Sequence, residues 1–368
     1  MIKILFLIHD LCQGGAEKVL VNLVNNLDRS RFDISIMPLF DVGVNKQFLK
    51  ADIKYIRCFK HMLPGNSHLF KLLSPKQLYN WLIKDDYDIV VSYLEGPTAR
   101  IAAGAPDNVK VVSWIHSTIS NEKALAQAFR SVDEAKKCYK RANLMAFVSK
   151  SVQDAFCKVC DTSNNAVIYN TNETDIIIEK SKESVDNFDF SQHFNWCAVG
   201  KLVPLKGYDR MLRIQAKLIN EGFDTHFHVL GIGESEKELK ELAKDLSIED
   251  SVTFWGYQTN PYKFVSKCDL FVCASHSEGF STAATEALIV GTPVCTVDVS
   301  GMKELLGENN EWGIITDNKE TMLYSAVRKF VIDNQYRAKY KELTKTRGNC
   351  FSKSTTVKAT EDALMQLL

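Results

Sequence analysis

Long apolar runs are missing from this sequence. The longest, such as Ile4 to Ile8 and Leu270 to Ala274, fall far short of the roughly 20 residues a bilayer-spanning helix requires, so no transmembrane helix is expected. The first strand-like run carries a single lysine, Lys3, and is followed by Gly14-Gly15 and an amphipathic stretch instead of a small-residue cleavage site, so it reads as a buried strand and not a signal peptide. Net charge is missing too, with 45 Lys+Arg against 45 Asp+Glu. Without a basic excess or a recognisable nucleic-acid motif, a nucleic-acid partner is disfavoured. Paired cysteine ligands are also lacking. The ten cysteines are scattered, and Cys197, Cys268, Cys273 and Cys295 sit inside apolar runs, where a free thiol acts as a small hydrophobe and points to a reducing cytoplasm. Cys157-Lys158-Val159-Cys160 has redox or zinc spacing, but no second pair or nearby histidine set completes four ligands. It reads as two free thiols on a helix.

What is present is globular: 368 residues, 45% hydrophobic and 24% charged, a length better filled by two domains than by one core. Strand-length apolar runs alternate with amphipathic stretches, the pattern of βαβ units and parallel sheets. Expected strands are Ile2 to Ile8, Phe32 to Pro38, Ile89 to Tyr93, Val109 to Ile115, Leu144 to Val148 and Ala166 to Ile168. Ala16 to Leu27 reads as the first crossover helix, with Val19, Leu20, Leu23, Val24 and Leu27 on one stripe. Polar residues dominate from Thr171 to His193, and a linker is expected there. Strands resume at Trp196 to Val199, His226 to Leu230, Val252 to Trp255, Leu270 to Ala274 and Pro293 to Val297, before helical stretches at 321–340 and 354–368. The fold class expected is α/β, with two doubly wound parallel-sheet domains facing each other across a cleft. Their expected spans are 1–178 and 179–350, with 351–368 a helix packing back toward the first domain.

The zero net charge conceals an asymmetry. Residues 1–178 carry 22 Lys+Arg against 18 Asp+Glu, and 179–368 carry 23 against 27. No acidic residue lies between Asp52 and Asp85, where Lys54, Arg57, Lys60, Lys71 and Lys76 stand among Tyr55, Phe59, Phe70 and Leu72. The Lys54–Lys76 stretch suits an anionic lipid headgroup or a phosphorylated acceptor, and equally an ordinary solvated face.

The strongest local motif is Ser277-Glu278-Gly279-Phe280-Ser281-Thr282, running on to Glu286. It follows an apolar strand and opens a helix with small hydroxyl residues, which aims backbone N–H groups and a positive dipole end at an anion. Glu286 lies about one turn into that helix, so two carboxylates can serve sugar hydroxyls beside a phosphate site. The second motif, Gly200-Lys201-Leu202-Val203-Pro204-Leu205-Lys206-Gly207, follows the first strand of the second half. Its glycines allow tight turns, and its lysines bring the positive charge that a departing diphosphate needs.

As a pair, these motifs resemble the retaining glycosyltransferases of family 4, which have the GT-B fold of two Rossmann-like domains. Cys12-Gln13-Gly14-Gly15-Ala16-Glu17 is similar to the family's glycine-rich first loop. The resemblance implies that Lys201 and Lys206 neutralise a nucleotide diphosphate and that Glu278, with the backbone of Gly279 and Phe280, holds the donor sugar. Ser281 and Thr282 would lie at the phosphates and Glu286 at the ribose. The base would stack near Trp255 and Tyr257, beside Gly200, Gly231 and Gly233. Gly14 and Gly15 would sit near the donor phosphates. His116, which ends a first-domain strand, would complete a catalytic set with Lys201, Lys206 and Glu278. Glu17, Glu95 and Asn170 fall on the acceptor side, although Glu95-Gly96-Pro97-Thr98 reads equally well as a plain turn.

The resemblance further implies an acceptor-binding first domain and a second domain binding a nucleotide sugar, with a UDP-sugar as donor. The basic, aromatic Lys54–Lys76 stretch favours a lipid-linked oligosaccharide over another saccharide acceptor and a cytoplasmic enzyme at the inner face of the membrane, and with the diphosphate charge met by lysines and a helix dipole, transfer without metal or cofactor is expected. Asp86-Tyr87-Asp88 has the spacing of a metal-binding Asp-x-Asp, but it precedes a strand, at the sheet end away from a ligand. Gly231-Ile232-Gly233-Glu234 lacks the third glycine of a dinucleotide motif, which disfavours a nicotinamide-dependent oxidoreductase. A non-catalytic nucleotide-sugar-binding protein and a GT-B sugar-nucleotide epimerase remain as alternatives.

Overall fold

The computed structural model describes residues 1–12, 14–60, 70–186 and 188–368. They divide into two compact units. Unit 1 comprises Met1–Asn172 with Lys353–Leu368, and unit 2 comprises Glu173–Ser352.

Unit 1 is built on a seven-stranded sheet among the described residues, in the order β3-β2-β1-β4-β5-β6-β7. The strands are β1 Ile2–Ile8, β2 Phe32–Pro38, β3 Lys54–Tyr55, β4 Ile89–Ser92, β5 Lys110–Ile115, β6 Leu144–Phe147 and β7 Asn165–Val167. All pair in parallel, for example Ile4 with Ile34 on one side and with Ile89 on the other. Helices cover both faces of such a sheet, so its central strands are mostly apolar runs instead of alternating, and Ile4 to Ile8 are all fully buried. The helix Gly15–Asn26 returns the chain from β1 and buries Val19, Leu20, Val21, Leu23 and Val24. The carboxy-terminal helix Lys353–Met365 joins this unit, where Glu361 accepts the Asp28 backbone N–H at 2.7 Å. The strand order reverses between β1 and β4, a switch point that places ligands outside the carboxyl ends of the strands.

Unit 2 repeats the plan with six parallel strands among the described residues, in the order β10-β9-β8-β11-β12-β13. These are β8 Phe194–Val199, β9 Thr225–Leu230, β10 Val252–Gly256, β11 Leu270–Cys273, β12 Val294–Val297 and β13 Ile314–Thr316. Its core packs Trp196 on Phe227 with ring centroids 4.0 Å apart and planes 16° from parallel.

Three expectations change. The edge strands β3 and β13 were not foreseen. The expected linker contains a helix, Thr174–Ser181, that buries Ile177. The helical stretch expected over 321–340 is two helices, Glu320–Ile332 and Asn334–Gly348, because Asp333 leaves helical geometry and caps the second by accepting Tyr336 N–H at 2.8 Å.

Candidate active site

The carboxyl rim of the unit 2 sheet is a set of loops held together by their backbones. Leu202 N–H donates to Ile232 O and Ser235 N–H to Leu202 O, both at 3.0 Å, while His276 N–H donates to Leu205 O at 2.8 Å. Glycine is required where these loops touch. A Cβ on Gly231 (φ +144°) would stand 1.9 Å from Gly200 O, and one on Gly207 (φ +65°) would stand 2.2 Å from Ala274 O. Gly233 likewise lies against Leu202 O, 2.2 Å from where its Cβ would be. The Gly231-x-Gly233 spacing is thus explained by loop packing, as its incomplete motif suggests.

This lacing brings Lys206 to Glu278, 72 residues away in sequence, with Nζ 2.6 Å from Oε1. Ser275 Oγ donates to the same oxygen at 2.5 Å. The Glu278 side chain is only 11% exposed and that of Lys206 30%, so neither charge is fully screened by water. Lys201 is exposed on the neighbouring turn.

After Glu278 the chain enters the helix Thr282–Ile289. Ser281 caps it, its Oγ accepting Ala284 N–H at 3.3 Å. Glu286 is buried and accepts the Tyr262 hydroxyl at 3.2 Å. Gly279 and Phe280 are pressed by Gly301, whose Cβ would lie 2.6 Å from Gly279 O, and the Phe280 ring is buried near Phe351. Of the residues expected to meet a base, Trp255 is engaged inside the fold, donating Nε1–H to His228 Nδ1 at 3.0 Å, whereas Tyr257 is exposed.

In unit 1, Glu95 follows β4 and grips the turn after β5. Its Oε2 accepts His116 N–H at 3.0 Å, and its Oε1 accepts the Ser117 hydroxyl. The carboxylate expected on the acceptor side therefore also sets the His116 turn. The His116 ring lies against Tyr93, with centroids 4.7 Å apart, and its Nε2 is buried without a partner among the described residues. Burial pulls this imidazole down to about 3, which favours the neutral ring. A buried polar atom without a partner, at the end of a sheet where ligands bind, calls for a functional explanation.

The glycine-rich loop follows β1, and its Gln13 lies outside the described residues. Gly14 caps the helix Gly15–Asn26, and the Glu17 carboxylate folds back over it, 1.7 Å from where a Gly14 Cβ would be. Asn170, after β7, is buried, and its carbonyl accepts Asn172 Nδ2–H at 3.1 Å. Asp88 caps the amino end of the sheet, accepting Lys3 N–H at 2.8 Å, so Asp86 and Asp88 stand at the opposite end from the ligand rim.

The cations of the Lys54–Lys76 stretch are not equivalent. Lys54 pairs with Asp85 at 2.8 Å, Arg57 lies 3.4 Å from Asp41, and Lys71 donates to Gln127 O at 2.9 Å. Lys60 and Lys76 are exposed, and residues 61–69 lie outside the described part.

The sequence reading passed over a pair at the end of β1. His9 Nδ1 lies 2.7 Å from Asp10 Oδ2, and Asp10 Oδ1 accepts Cys12 N–H at 2.8 Å. Burial works to raise the Asp10 carboxyl, but the bonds from His9 and Cys12 outweigh it and hold the group below the usual carboxylate range. The available signal was a polar dipeptide directly after an apolar parallel strand.

Comparison with known proteins gives this geometry a context. Residues 13–175 match the family described as Glycosyltransferase Family 4, and residues 182–347 match that described as Glycosyl transferases group 1. The chain is 26% identical, over the full length of both, to the Campylobacter jejuni N-acetylgalactosamine-N,N'-diacetylbacillosaminyl-diphospho-undecaprenol 4-alpha-N-acetylgalactosaminyltransferase. It is 24% identical to the Salmonella typhimurium lipopolysaccharide 1,6-galactosyltransferase, over 81% of each. In fold it is similar to the Anabaena HepE protein solved with UDP and glucose, with a TM-score of 0.82 at 20% identity, covering 99% of this chain and 100% of that one.

Proposed function

This chain belongs to the family 4 glycosyltransferases, and from that premise we propose that it transfers a sugar, with retention at the anomeric carbon and without a metal, from a UDP-sugar bound by unit 2 to a lipid-linked saccharide bound by unit 1. The observation that carries this is the unit 2 rim, where Lys206, Glu278 and the Ser281-capped helix meet. A lysine and a helix amino terminus suit a diphosphate, and a buried carboxylate suits sugar hydroxyls. The acceptor class follows from the diphospho-undecaprenol and lipopolysaccharide named for the relatives, and the UDP donor is supported by the HepE complex.

In the proposed step, the bond from the anomeric carbon to the diphosphate oxygen breaks and the acceptor hydroxyl oxygen bonds to that carbon from the same face. The hydroxyl proton passes to the departing diphosphate. Lys206, Lys201 and the helix terminus receive the charge that grows on the leaving group. Glu278 holds the sugar, Glu286 the ribose and the exposed Tyr257 ring the base, while neutral His116 offers its unpartnered nitrogen to the transferred sugar.

The test is a panel of UDP-sugars, including UDP-N-acetylgalactosamine, UDP-galactose and UDP-glucose, against diphospho-undecaprenol-linked saccharides and lipopolysaccharide-core acceptors. A new α-glycosidic bond from an α-linked donor, formed at the same rate in EDTA, is expected. An inverted product would refute retention, and a rate abolished by EDTA and restored by a divalent ion would refute metal independence.

A further inference from the structure

We propose that His9, held by Asp10, is a further binding residue of the unit 1 site, and that its outward Nε2 accepts a hydrogen bond from a hydroxyl of the saccharide acceptor. This rests on the transferase function above, with the acceptor in unit 1.

Asp10 alone would satisfy the turn after β1, since its Oδ1 takes the Cys12 N–H at 2.8 Å. The bond from His9 Nδ1 to the other carboxylate oxygen, at 2.7 Å, adds nothing to that turn. What it does is fix the imidazole. A carboxylate at Nδ1 makes that nitrogen the donor and, in the neutral ring, leaves the lone pair on Nε2. The ring is also held from the side, edge-on to Phe40 with centroids 5.0 Å apart, while His9 O accepts Phe40 N–H at 3.0 Å. The His9 side chain is 37% exposed against 12% for Asp10. One nitrogen is thus anchored, and the other has no hydrogen-bond partner among the described residues.

The place is the one the topology reserves for ligands. β1 borders the reversal in strand order, and the same carboxyl rim carries Glu95 after β4 and His116 after β5. The chemistry selects the ligand group. A lone pair on Nε2 takes a donor, which a sugar hydroxyl supplies and an ionised phosphate oxygen does not.

The experiment compares His9→Phe, which keeps a ring against Phe40, and His9→Gln, which keeps an outward polar group. The readouts are kcat/KM for a diphospho-undecaprenol-linked saccharide, hydrolysis of the UDP-sugar without acceptor, and UDP affinity. His9→Phe is expected to lower acceptor kcat/KM about tenfold, the scale of one lost hydrogen bond, while donor hydrolysis and UDP affinity stay at wild type and His9→Gln recovers part of the loss. Unchanged acceptor kinetics would overturn the proposal, and so would an equal fall in donor hydrolysis. Asp10→Asn provides an independent arm. Its amide donates to Nδ1 and moves the ring proton to Nε2, so the hydroxyl must turn to accept instead of donate, and a smaller acceptor-specific loss is expected with no change in donor hydrolysis. A wild-type enzyme that neither transfers nor hydrolyses any UDP-sugar would instead refute the transferase function.

Discussion

Lys206 and Glu278 hold opposite charges 2.6 Å apart at a site where only a fraction of each side chain meets water. Such a pair does two jobs that mutation can separate. Lys206→Ala removes the cation that meets the leaving diphosphate, and transfer is expected to fall by about two to three orders of magnitude. It also takes the cation from the Glu278 carboxylate, which keeps the Ser275 hydroxyl, so the cost lies between the roughly 1 kcal/mol of an exposed pair and the roughly 3 to 5 kcal/mol of a buried one. Adding Glu278→Gln should return most of that stability in a thermal melt while transfer stays low. If the double variant recovered transfer together with stability, Lys206 would be structural only. Both residues were legible as candidates in the sequence, but their contact was not. The intervening chain crosses β9, β10 and β11, and only the strand order, with β8 beside β11, brings the two loops side by side. The His9–Asp10 pair was missed for the opposite reason, since neighbouring residues at a strand end look like an ordinary turn until the carboxylate is seen on the ring.

Strand β9 shows how one element holds polar residues inside a parallel sheet. Phe227 faces the Trp196 side of the sheet, and His226 and His228 alternate to the other face, where Phe188 lies 4.7 Å from both rings and Phe190 stacks on His228 at 4.8 Å. Thr253 meets His226 Nε2 at 2.8 Å, while His228 bonds Asn195 Oδ1 at 2.9 Å and takes Trp255 Nε1–H. Facing this cluster are His193 and Asp224, with Nδ1 2.6 Å from Oδ1. Burial pulls His226 down to about 4 and His228 to about 3. The unfolded chain therefore binds these protons first. Stability is complete above the unfolded value near 6.5 and is lost as pH falls from there toward 4 and 3, at up to about 1.4 kcal/mol per pH unit for each histidine. Urea unfolding of wild type and His226→Gln at pH 7 and pH 5 checks this. The variant should lose less stability between the two, and equal losses would remove His226 from the acid response. At this scale the long buried strands were legible because parallel strands covered on both faces read as apolar runs. β3 and β13 were not, being edge strands of two and three residues. The helix Thr174–Ser181 escaped for a related reason. It buries Ile177 but leaves Ile176 and Ile178 exposed by 43% and 42%, so no apolar stripe marks it.

For the whole molecule, the lipid-linked acceptor proposed above has to be reached although, among the described residues, no helix is long and apolar enough to cross a membrane. The structure narrows the basic stretch that could dock on an anionic surface. Lys54 is paired with Asp85, so it contributes little. Arg100 and Arg130 grip the backbone of the next segment instead, Arg100 donating to Leu73 O and Arg130 to Leu72 O, both at 2.7 Å. That grip holds Leu72 74% exposed, with Lys71 beside it and Lys76 exposed nearby. An apolar tip flanked by lysines suits the headgroup boundary of an anionic leaflet, where each lysine adds about 1 kcal/mol. Leu72→Glu combined with Lys76→Glu should therefore reduce sedimentation with phosphatidylserine vesicles at low salt, and wild-type binding should weaken as salt rises. Transfer to a soluble saccharide acceptor should fall far less than transfer to the same saccharide presented on a vesicle. If the variant bound vesicles as well as wild type, this face would not be the docking surface. If wild type ignored them altogether, the lipid-linked acceptor would have to be reached without help from the membrane.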